Sequence, residues 1–256
     1  MTTRPIRALI RTSCLVAGLW LVVSQTAIVG QEPLPSGREV IARHIKAIGG
    51  EDAFKGIKSI RVRGRFEMAA QGIGGDFELL SARPDKMLMR VEIASVGHVE
   101  TGYDGKTGWS IDPLSGPALL SGRQLTEIAD DAWFDSALHA SDHVQEVVTV
   151  DREDFAQRPA YKVRVVFKSG QEQFEYFDVE AGWQIGTEGT RETPMGVVPT
   201  VSTLRDYKKF GALMQPTTLV QRAMGIEQTL HVTSCEYGVV NADAFDMPAP
   251  IKALIK

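Results

Sequence analysis

The sequence has few cysteines and no excess of basic residues, and each of these absences excludes a class of protein. Cys14 and Cys235 are the two cysteines in 256 residues, so a domain that loses its N-terminal segment cannot form an internal disulfide. The formal net charge is −4, and without Arg4, Arg7 and Arg11 the 28 basic residues fall to 25 against 32 acidic ones, a charge of −7. A mildly acidic chain without a basic patch argues against nucleic acid as a partner.

Sequence motifs of catalytic sites are also missing. The chain contains no Gly-x-Ser-x-Gly and no Cys-x-x-Cys, which are the signatures of two common nucleophile types. Gly72, Gly74 and Gly75 lie between two predicted strands with no helix after them, so they predict a turn and not a phosphate-binding loop. The sequence therefore predicts a protein that is not an enzyme and that uses no cofactor.

His139 and His143 have a spacing that suits a metal site. Four residues apart, they would share one face of a helix with Asp135 one turn earlier. However, Ala140 stands where the helix of a zinc protease carries a glutamate, and the Ser-Asp pair that follows disfavours a helix. A metal pair and a solvated helix end are both open interpretations. The second is favoured, so we expect no metal.

The first thirty residues have the order of a secretory signal peptide. Three arginines precede an apolar run at residues 14–23, and small and polar residues follow at 24–30. The run is too short to span a bilayer, which takes about 20 apolar residues. The sequence therefore predicts a signal peptide at residues 1–30 and an exported protein. No Ala-x-Ala cleavage site occurs between residues 24 and 31, so an uncleaved segment that tethers the domain to the inner membrane is the alternative.

Helical periodicity follows the signal segment. Ser36 and Glu39 form a capping box, in which the serine hydroxyl caps a free backbone N–H and the glutamate reaches back. An apolar stripe at helical spacing comes next and ends at a pair of glycines; it consists of Val40, Ile41, Ile45 and Ile48. A second helical turn is predicted over residues 51–57.

From Ser59 onward apolar and polar residues alternate, which predicts strands with one wet face and one apolar face. In the strand over residues 87–93 this pattern assigns Leu88, Arg90 and Glu92 to the wet face. A helical stretch over 125–138 interrupts the strands. Further strands are predicted over 144–150, 160–168, 173–180, 184–192, 200–207, 217–223 and 227–237, with turns at 152–154 and 168–170.

This pattern predicts a mainly β (α+β) fold. About ten or eleven strands joined by short connections indicate a single antiparallel meander. We expect it to curve strongly into an open half-barrel, with the N-terminal helix and the mid-chain helical insertion covering its apolar face. No linker or low-complexity segment divides the chain after residue 36, so we expect one domain over 36–256.

Several short segments, in their order along the chain, resemble the LolA/LolB-like family of outer-membrane lipoprotein-sorting proteins. They are Phe77 with Arg83-Pro84-Asp85-Lys86, then Asp104-Gly105-Lys106 with Trp109 and Asp112-Pro113, then Tyr176-Phe177-Asp178 with Gly182, and finally Phe245 with Pro248. The resemblance covers about residues 36–256. It implies an open, curved sheet closed by helices around an apolar cavity, in a periplasmic protein that carries or senses lipidated molecules.

Six side chains on the predicted apolar face are candidates for lining such a cavity: Phe66, Met68, Phe77, Met87, Met89 and Val91. Methionine suits surfaces that must fit varied apolar partners, because it is flexible and polarizable. The alternative is that these side chains fill a core under the helices. We expect a non-catalytic carrier or binder of lipoprotein acyl chains or lipids. Its partners would be an acylated lipoprotein or a lipid, and membrane-bound donor or acceptor proteins. The alternative function is a sensor that recognises a lipidated or outer-membrane partner.

Overall fold

Two short helices precede the sheet in the computed structural model. Helix α1 (Gly37–Ala47) begins at the predicted capping box: the Ser36 hydroxyl accepts a hydrogen bond from the Glu39 backbone N–H at 3.3 Å, and the Glu39 carboxylate accepts one from the Ser36 N–H at 2.7 Å. Helix α2 (Glu51–Lys55) follows the glycine pair. Both predicted helices are confirmed.

The structure describes residues 33–94, 96–193 and 195–255, and the predicted signal peptide lies outside these ranges. From Leu34 onward the described residues form one compact unit. None of their helices has the length and apolar character needed to cross a membrane.

Fifteen strands occur in the described ranges, and thirteen of them form one open, curved antiparallel sheet. The strands are β1 (Ser59–Met68), β2 (Ile73–Ala82), β3 (Lys86–Ile93), β4 (Gly97–Tyr103), β5 (Gly108–Asp112), β6 (Gly116–Leu119), β7 (Val144–Phe155), β8 (Arg158–Phe167), β9 (Glu172–Asp178), β10 (Gln184–Thr193), β11 (Gly196–Arg205), β12 (Lys208–Phe210), β13 (Leu213–Gln215), β14 (Thr218–Ala223) and β15 (Ile226–Tyr237). The sheet order is β6-β5-β4-β3-β2-β1-β15-β14-β11-β10-β9-β8-β7, and β12 pairs with β13 separately. The predicted open, mainly β fold is confirmed, with more strands than expected.

The chain is not a simple meander, because it crosses the sheet once. Strands β6 and β7 are consecutive in sequence but lie at opposite edges of the sheet. Helix α3 (Gly122–Ala132) and a short 3-10 helix (Ser136–Leu138) make this crossing. The expectation of short connections throughout is therefore wrong here. The predicted helical stretch is also split, because Trp133 takes an extended conformation with φ −60° and ψ 110°.

The turn predicted at residues 152–154 is wrong. These residues continue β7, and the chain reverses at Ala156 and Gln157, whose φ angles are 49° and 66°. Two successive residues with positive φ form the tight turn whose twist matches a β-hairpin. The charged residues 152–154 are typical of a turn, but their pairing with β8 keeps them in the strand. The turn predicted at 168–170 is confirmed, with Gly170 at φ 89°.

Helices cover one side of the sheet, which we call the inner face. Val40 and Ile41 of α1 pack against Val163 and Val165 of β8. Toward the other edge of the same face, α3 packs against β3 and β4 through a cluster of Tyr103, Ile128 and Ala132 with Met87 and Leu125. The predicted covering of an apolar face by the mid-chain helix is thus confirmed.

The opposite, outer face is also apolar where the C-terminal segment covers it. Leu88, assigned to the wet face by alternation, is 1% exposed and packs with Leu80 and Trp109 of the outer face. A 3-10 helix (Ala242–Phe245) and α4 (Ala249–Lys252) bring Phe245 and Ile251 onto this cluster. The assignment of Leu88 to the wet face is wrong because this end of β3 is buried on both faces, on the inner face by α3 and on the outer face by a segment more than 150 residues away in the sequence.

Candidate functional site

The inner face of β1–β4 and β15 is apolar, and we call it the apolar half. Phe66, Phe77 and Val91 are buried at its centre, with Phe77 directly opposite Val91 in the β2–β3 register. The side chains packed around them are only partly buried: Val62, Met68, Ile73, Met89, Ile93, Val99, Leu230 and Val232. A wide apolar surface on the inner side of the sheet is therefore partly accessible.

The structure brings five of the six predicted cavity residues into this one cluster. Phe66, Met68, Phe77, Met89 and Val91 all belong to it. Met87 lies on the same face of β3 but packs under α3, against Tyr103. That these side chains line a ligand cavity stays a prediction.

A polar pocket occupies the inner face of β9–β11 and β14, beneath α3. Its volume is about 420 Å³, within the range of small-molecule sites. None of the six predicted residues lines it. Its lining includes Glu127, Asp130 and Asp131 of α3 and, at the end of the 3-10 helix, His139. The strands contribute Glu172, Gln173 and Glu175 (β9), Gln184, Thr187 and Arg191 (β10), Thr200 and Ser202 (β11), and Leu219 and Gln221 (β14).

A buried ion pair forms one wall of this pocket. The His139 Nε2 and Glu175 Oε2 atoms are 2.9 Å apart, and the side chains are 5% and 4% exposed. The Gln173 and Gln184 side-chain amides donate to the two Glu175 oxygens at 2.8 and 2.9 Å. His139 Nδ1 lies 3.1 Å from the Ala137 carbonyl oxygen, so both ring nitrogens face acceptors. Only a protonated imidazole can donate to both.

Burial and the charge of the partner shift the pKa of each member of this pair in opposite directions. Burial alone would lower the pKa of His139, but the Glu175 carboxylate outweighs it and holds the pKa above its usual value. Burial would likewise raise the pKa of Glu175, yet the charge and hydrogen bond of His139 hold it below its usual value. Both shifts favour the ionised form of the pair, which agrees with the hydrogen-bond geometry.

The acidic side chains of α3 hold the helix onto β10. Glu127 accepts from Arg123 at 2.8 Å and from the Glu192 backbone N–H at 3.1 Å. One turn further on, Arg191 donates to Asp131 at 2.8 Å. Because α3 also packs on β3 and β4, it connects the two halves of the sheet above the inner face.

The two histidines considered for a metal do not share a helix face. His139 has a φ of 48° and ends the 3-10 helix, and His143 stacks on Trp133 with ring centroids 4.7 Å apart. The helical spacing assumed for a metal pair is therefore wrong, and so is the solvated helix end, since both side chains are buried. In the described part of the chain, no group of three or more His, Cys, Asp or Glu side chains is placed to hold a metal ion.

Exposed apolar residues also occupy four of the turns at one end of the strands, and we call these residues the apolar tips. The antiparallel register places the β1–β2, β3–β4, β5–β6, β10–β11 and β14–β15 turns at this same end. The exposed apolar side chains there are Val96, Leu114, Met195, Val197, Met224 and Ile226, with Leu114 at 89% and Met195 at 75% exposure. Turns normally carry polar residues, so this concentration is unusual.

The sequence shows the polar residues of the pocket but does not show that they lie together. Thr187, Thr200, Ser202 and Gln221 are polar residues in strands, and a strand pattern alone does not say which face they occupy. Only the pairing of β9, β10, β11 and β14 places them on the inner face together.

Three solved structures share this fold. A LolA superfamily protein from Nitrosomonas europaea matches with a TM-score of 0.55 at 14% identity, over 84% of this chain and 99% of that one. A DUF1329 family protein from Desulfovibrio piger matches with a TM-score of 0.56 at 12% identity, over 82% and 95%. A protein domain from Vibrio parahaemolyticus, described as outer membrane lipoprotein-sorting, matches with a TM-score of 0.52 at 12% identity, over 82% and 96%.

These likenesses confirm, at the level of fold, the resemblance seen in the short sequence segments. The chain has a LolA-like fold. No protein-family model matches the sequence, and no curated protein matches it. Because the identities are 12–14%, the comparisons concern architecture alone, and function has to be argued from the inner face.

Proposed function

We propose that the protein is an exported, non-catalytic carrier or binder of acyl chains, from lipids or lipoproteins, and that it holds the chain against the apolar half. The observation that carries this proposal is the ring of eight partly exposed apolar side chains around Phe66, Phe77 and Val91. Apolar surface left open to water costs about 25 cal/mol per Å² relative to its burial. A contiguous apolar surface of this kind marks an interaction site.

An acyl chain suits this surface better than a rigid apolar ligand. Met68 and Met89 lie beside the buried centre, and methionine adapts its shape to different contacts. Each methylene group buried contributes about 0.8 kcal/mol, so a partly covered chain can be held firmly and still be released. The described function of the Vibrio parahaemolyticus domain, lipoprotein sorting, is consistent with such a ligand.

The buried acid–base pair does not argue for catalysis. In the protonated His139 ring both nitrogens donate to protein acceptors, to Glu175 and to Ala137. The Glu175 oxygens also accept from two glutamine amides. Neither group is therefore free to take a proton from a substrate, and a structural role accounts for both.

The proposed compartment is the periplasm, reached through the signal segment at residues 1–30. Its arginines, apolar run and small residues carry this part of the proposal. An uncleaved, tethered form remains the alternative, and the mass of the intact exported protein decides between the two.

Native mass spectrometry of the protein purified from its host periplasm tests the proposal. We expect bound species with masses of acyl-chain compounds, and saturable binding of a fluorescent fatty acid to the delipidated protein. Carrier and sensor differ in one further measurement, the passage of the bound compound to acceptor membranes. A protein that carries no acyl compound and binds no fatty acid would contradict the function proposed here.

We expect the ligand to enter from a bilayer at the apolar tips. The apolar half continues through Met68 and Ile73 to the β1–β2 turn, so a chain can leave a bilayer there without crossing charged side chains. We expect the double substitution Met195→Lys and Met224→Lys to slow uptake from phospholipid vesicles at least tenfold. Affinity for fatty acid added from solution should not change.

The control for this experiment is Leu254→Lys, which alters an exposed leucine of the C-terminal segment. It should leave uptake from vesicles at the wild-type rate. Equal slowing by both variants, or none by either, would mean that the tips have no part in loading.

A further inference from the structure

The polar pocket adjoins the apolar half of the same face. Leu219 lines the pocket, and its direct partner in the β14–β15 register is Leu230, a member of the apolar half. A single molecule can therefore reach both regions if it is amphiphilic. The proposed function accounts for its acyl chain but not for the group that would occupy the pocket.

A row of polar side chains crosses the pocket from strand to strand. Thr187 is paired with Glu175 on one side and with Ser202 on the other, and Ser202 is paired with Gln221. The Gln221 side-chain oxygen accepts from Gln228 on β15, so its amide NH₂ is left to donate. The row thus offers hydroxyl and amide groups, which donate and accept hydrogen bonds without a net charge.

Every charged side chain in the pocket already has a partner. Of the two cations, Arg191 is bonded to Asp131 at 2.8 Å and His139 to Glu175 at 2.9 Å. The other two carboxylates of α3 on this face are likewise engaged, Glu127 by Arg123 at 2.8 Å and Asp130 by the Ser169 hydroxyl at 2.6 Å.

The balance of charge disfavours a phosphate. Four carboxylates, of Glu127, Asp130, Asp131 and Glu175, and two cations face the pocket, so an anion entering it meets net repulsion and no free cation to pair with. Neutral hydroxyl groups carry no such penalty, and they match the threonine, serine and glutamine side chains of the polar row.

We infer that the pocket binds an uncharged, hydroxyl-rich head group of sugar type, on the amphiphile whose acyl chain lies on the apolar half. This inference rests on the proposed function and narrows its ligand to glycolipid-like molecules over anionic phospholipids. The volume of about 420 Å³ is within the size range of small-molecule sites.

Affinities of the delipidated protein for three lipids with identical acyl chains test this inference: a monogalactosyl diacylglycerol, a phosphatidylglycerol and the bare diacylglycerol. We expect the galactolipid to bind at least tenfold more tightly than the phosphatidylglycerol, which also carries hydroxyls but adds a negative phosphate. Phosphatidylglycerol binding as tightly as the galactolipid, or more tightly, would overturn the inference and leave acyl-chain binding standing.

The double variant Thr187→Val and Ser202→Ala removes two pocket hydroxyls with little change of shape. It should reduce galactolipid affinity to that of the diacylglycerol, whose own affinity should not change. Thr229→Val, on the opposite face of β15 from Leu230, is the matched control and should keep the galactolipid preference. An unchanged preference in the double variant would reject the pocket as the head-group site, whereas no binding of any of the three lipids would reject the proposed function and this inference with it.

Discussion

Glu175→Gln should lower the free energy of unfolding by about 3 kcal/mol, because it leaves the charge of His139 buried without its counterion. The pair is nearly inaccessible to water, and two further amides depend on the same carboxylate. For a domain of this size the loss corresponds to a fall of about 6 to 12 °C in melting temperature. Thermal unfolding followed by circular dichroism measures it.

The matched control lies on the same strand. Glu172 pairs with Arg164 at 2.7 Å, but both side chains are substantially exposed. Exposed ion pairs contribute about 0 to 1 kcal/mol, so Glu172→Gln should change the melting temperature by a small fraction of the Glu175 effect. Equal effects of the two substitutions would show that the buried pair has no special role in stability.

The same variant should show a characteristic pH dependence. The pKa of His139 is raised in the folded protein, so its contribution is fully present below the unfolded pKa of about 6.5 and is lost as pH rises through the folded pKa. The difference in stability between wild type and Glu175→Gln should therefore shrink as pH rises above 6.5. Burial lowers the pKa of His44 to about 4, so His44 is neutral above pH 6.5 and does not contribute to this comparison.

Val99→Asp should reduce fatty-acid affinity at least a hundredfold. Val99 lies opposite Val91 in the β3–β4 register and is partly exposed within the apolar half. A carboxylate there would face the bound hydrocarbon without a partner, and such a charge is strongly disfavoured in an apolar contact. Titration with a fluorescent fatty acid measures the loss.

Two further variants separate binding from folding. Met89→Trp fills part of the same surface with apolar volume and should also weaken binding while the protein still unfolds cooperatively. Val148→Asp changes an exposed valine of β7 and should leave the affinity at its wild-type value. Retained binding in a folded Met89→Trp protein would place the acyl chain elsewhere.

Local features of the fold could be predicted because neighbouring residues decide them. The capping box at Ser36 and Glu39 satisfies backbone groups within one turn of helix. The alternation from Ser59 to Met68 predicts β1 directly. The overall architecture is predicted by the resemblance of short segments to a known family. One of these segments is the hairpin between Tyr103 and Gly108.

Other features depend on segments far apart in the chain. Alternation divides each strand into two faces but does not say what covers them, so Leu88 was assigned to the wet face although Phe245 and Ile251 bury it. Similarly, the tight turn at Ala156 and Gln157 follows from the pairing of β7 with β8 and not from residues that favour turns.

Adjacent residues were enough to predict the strand periodicity, the first helix and the apolar character of five residues that cluster on the inner face. The export signal at residues 1–30 stays a prediction. The pairing of β1 with β15, the crossing of the sheet by α3, and the polar row of Thr187, Ser202 and Gln221 beside Glu175 depend on contacts between distant segments. The physical reason is that periodicity is a property of adjacent residues, whereas a pocket forms from side chains on separate strands whose pairing depends on the whole sheet.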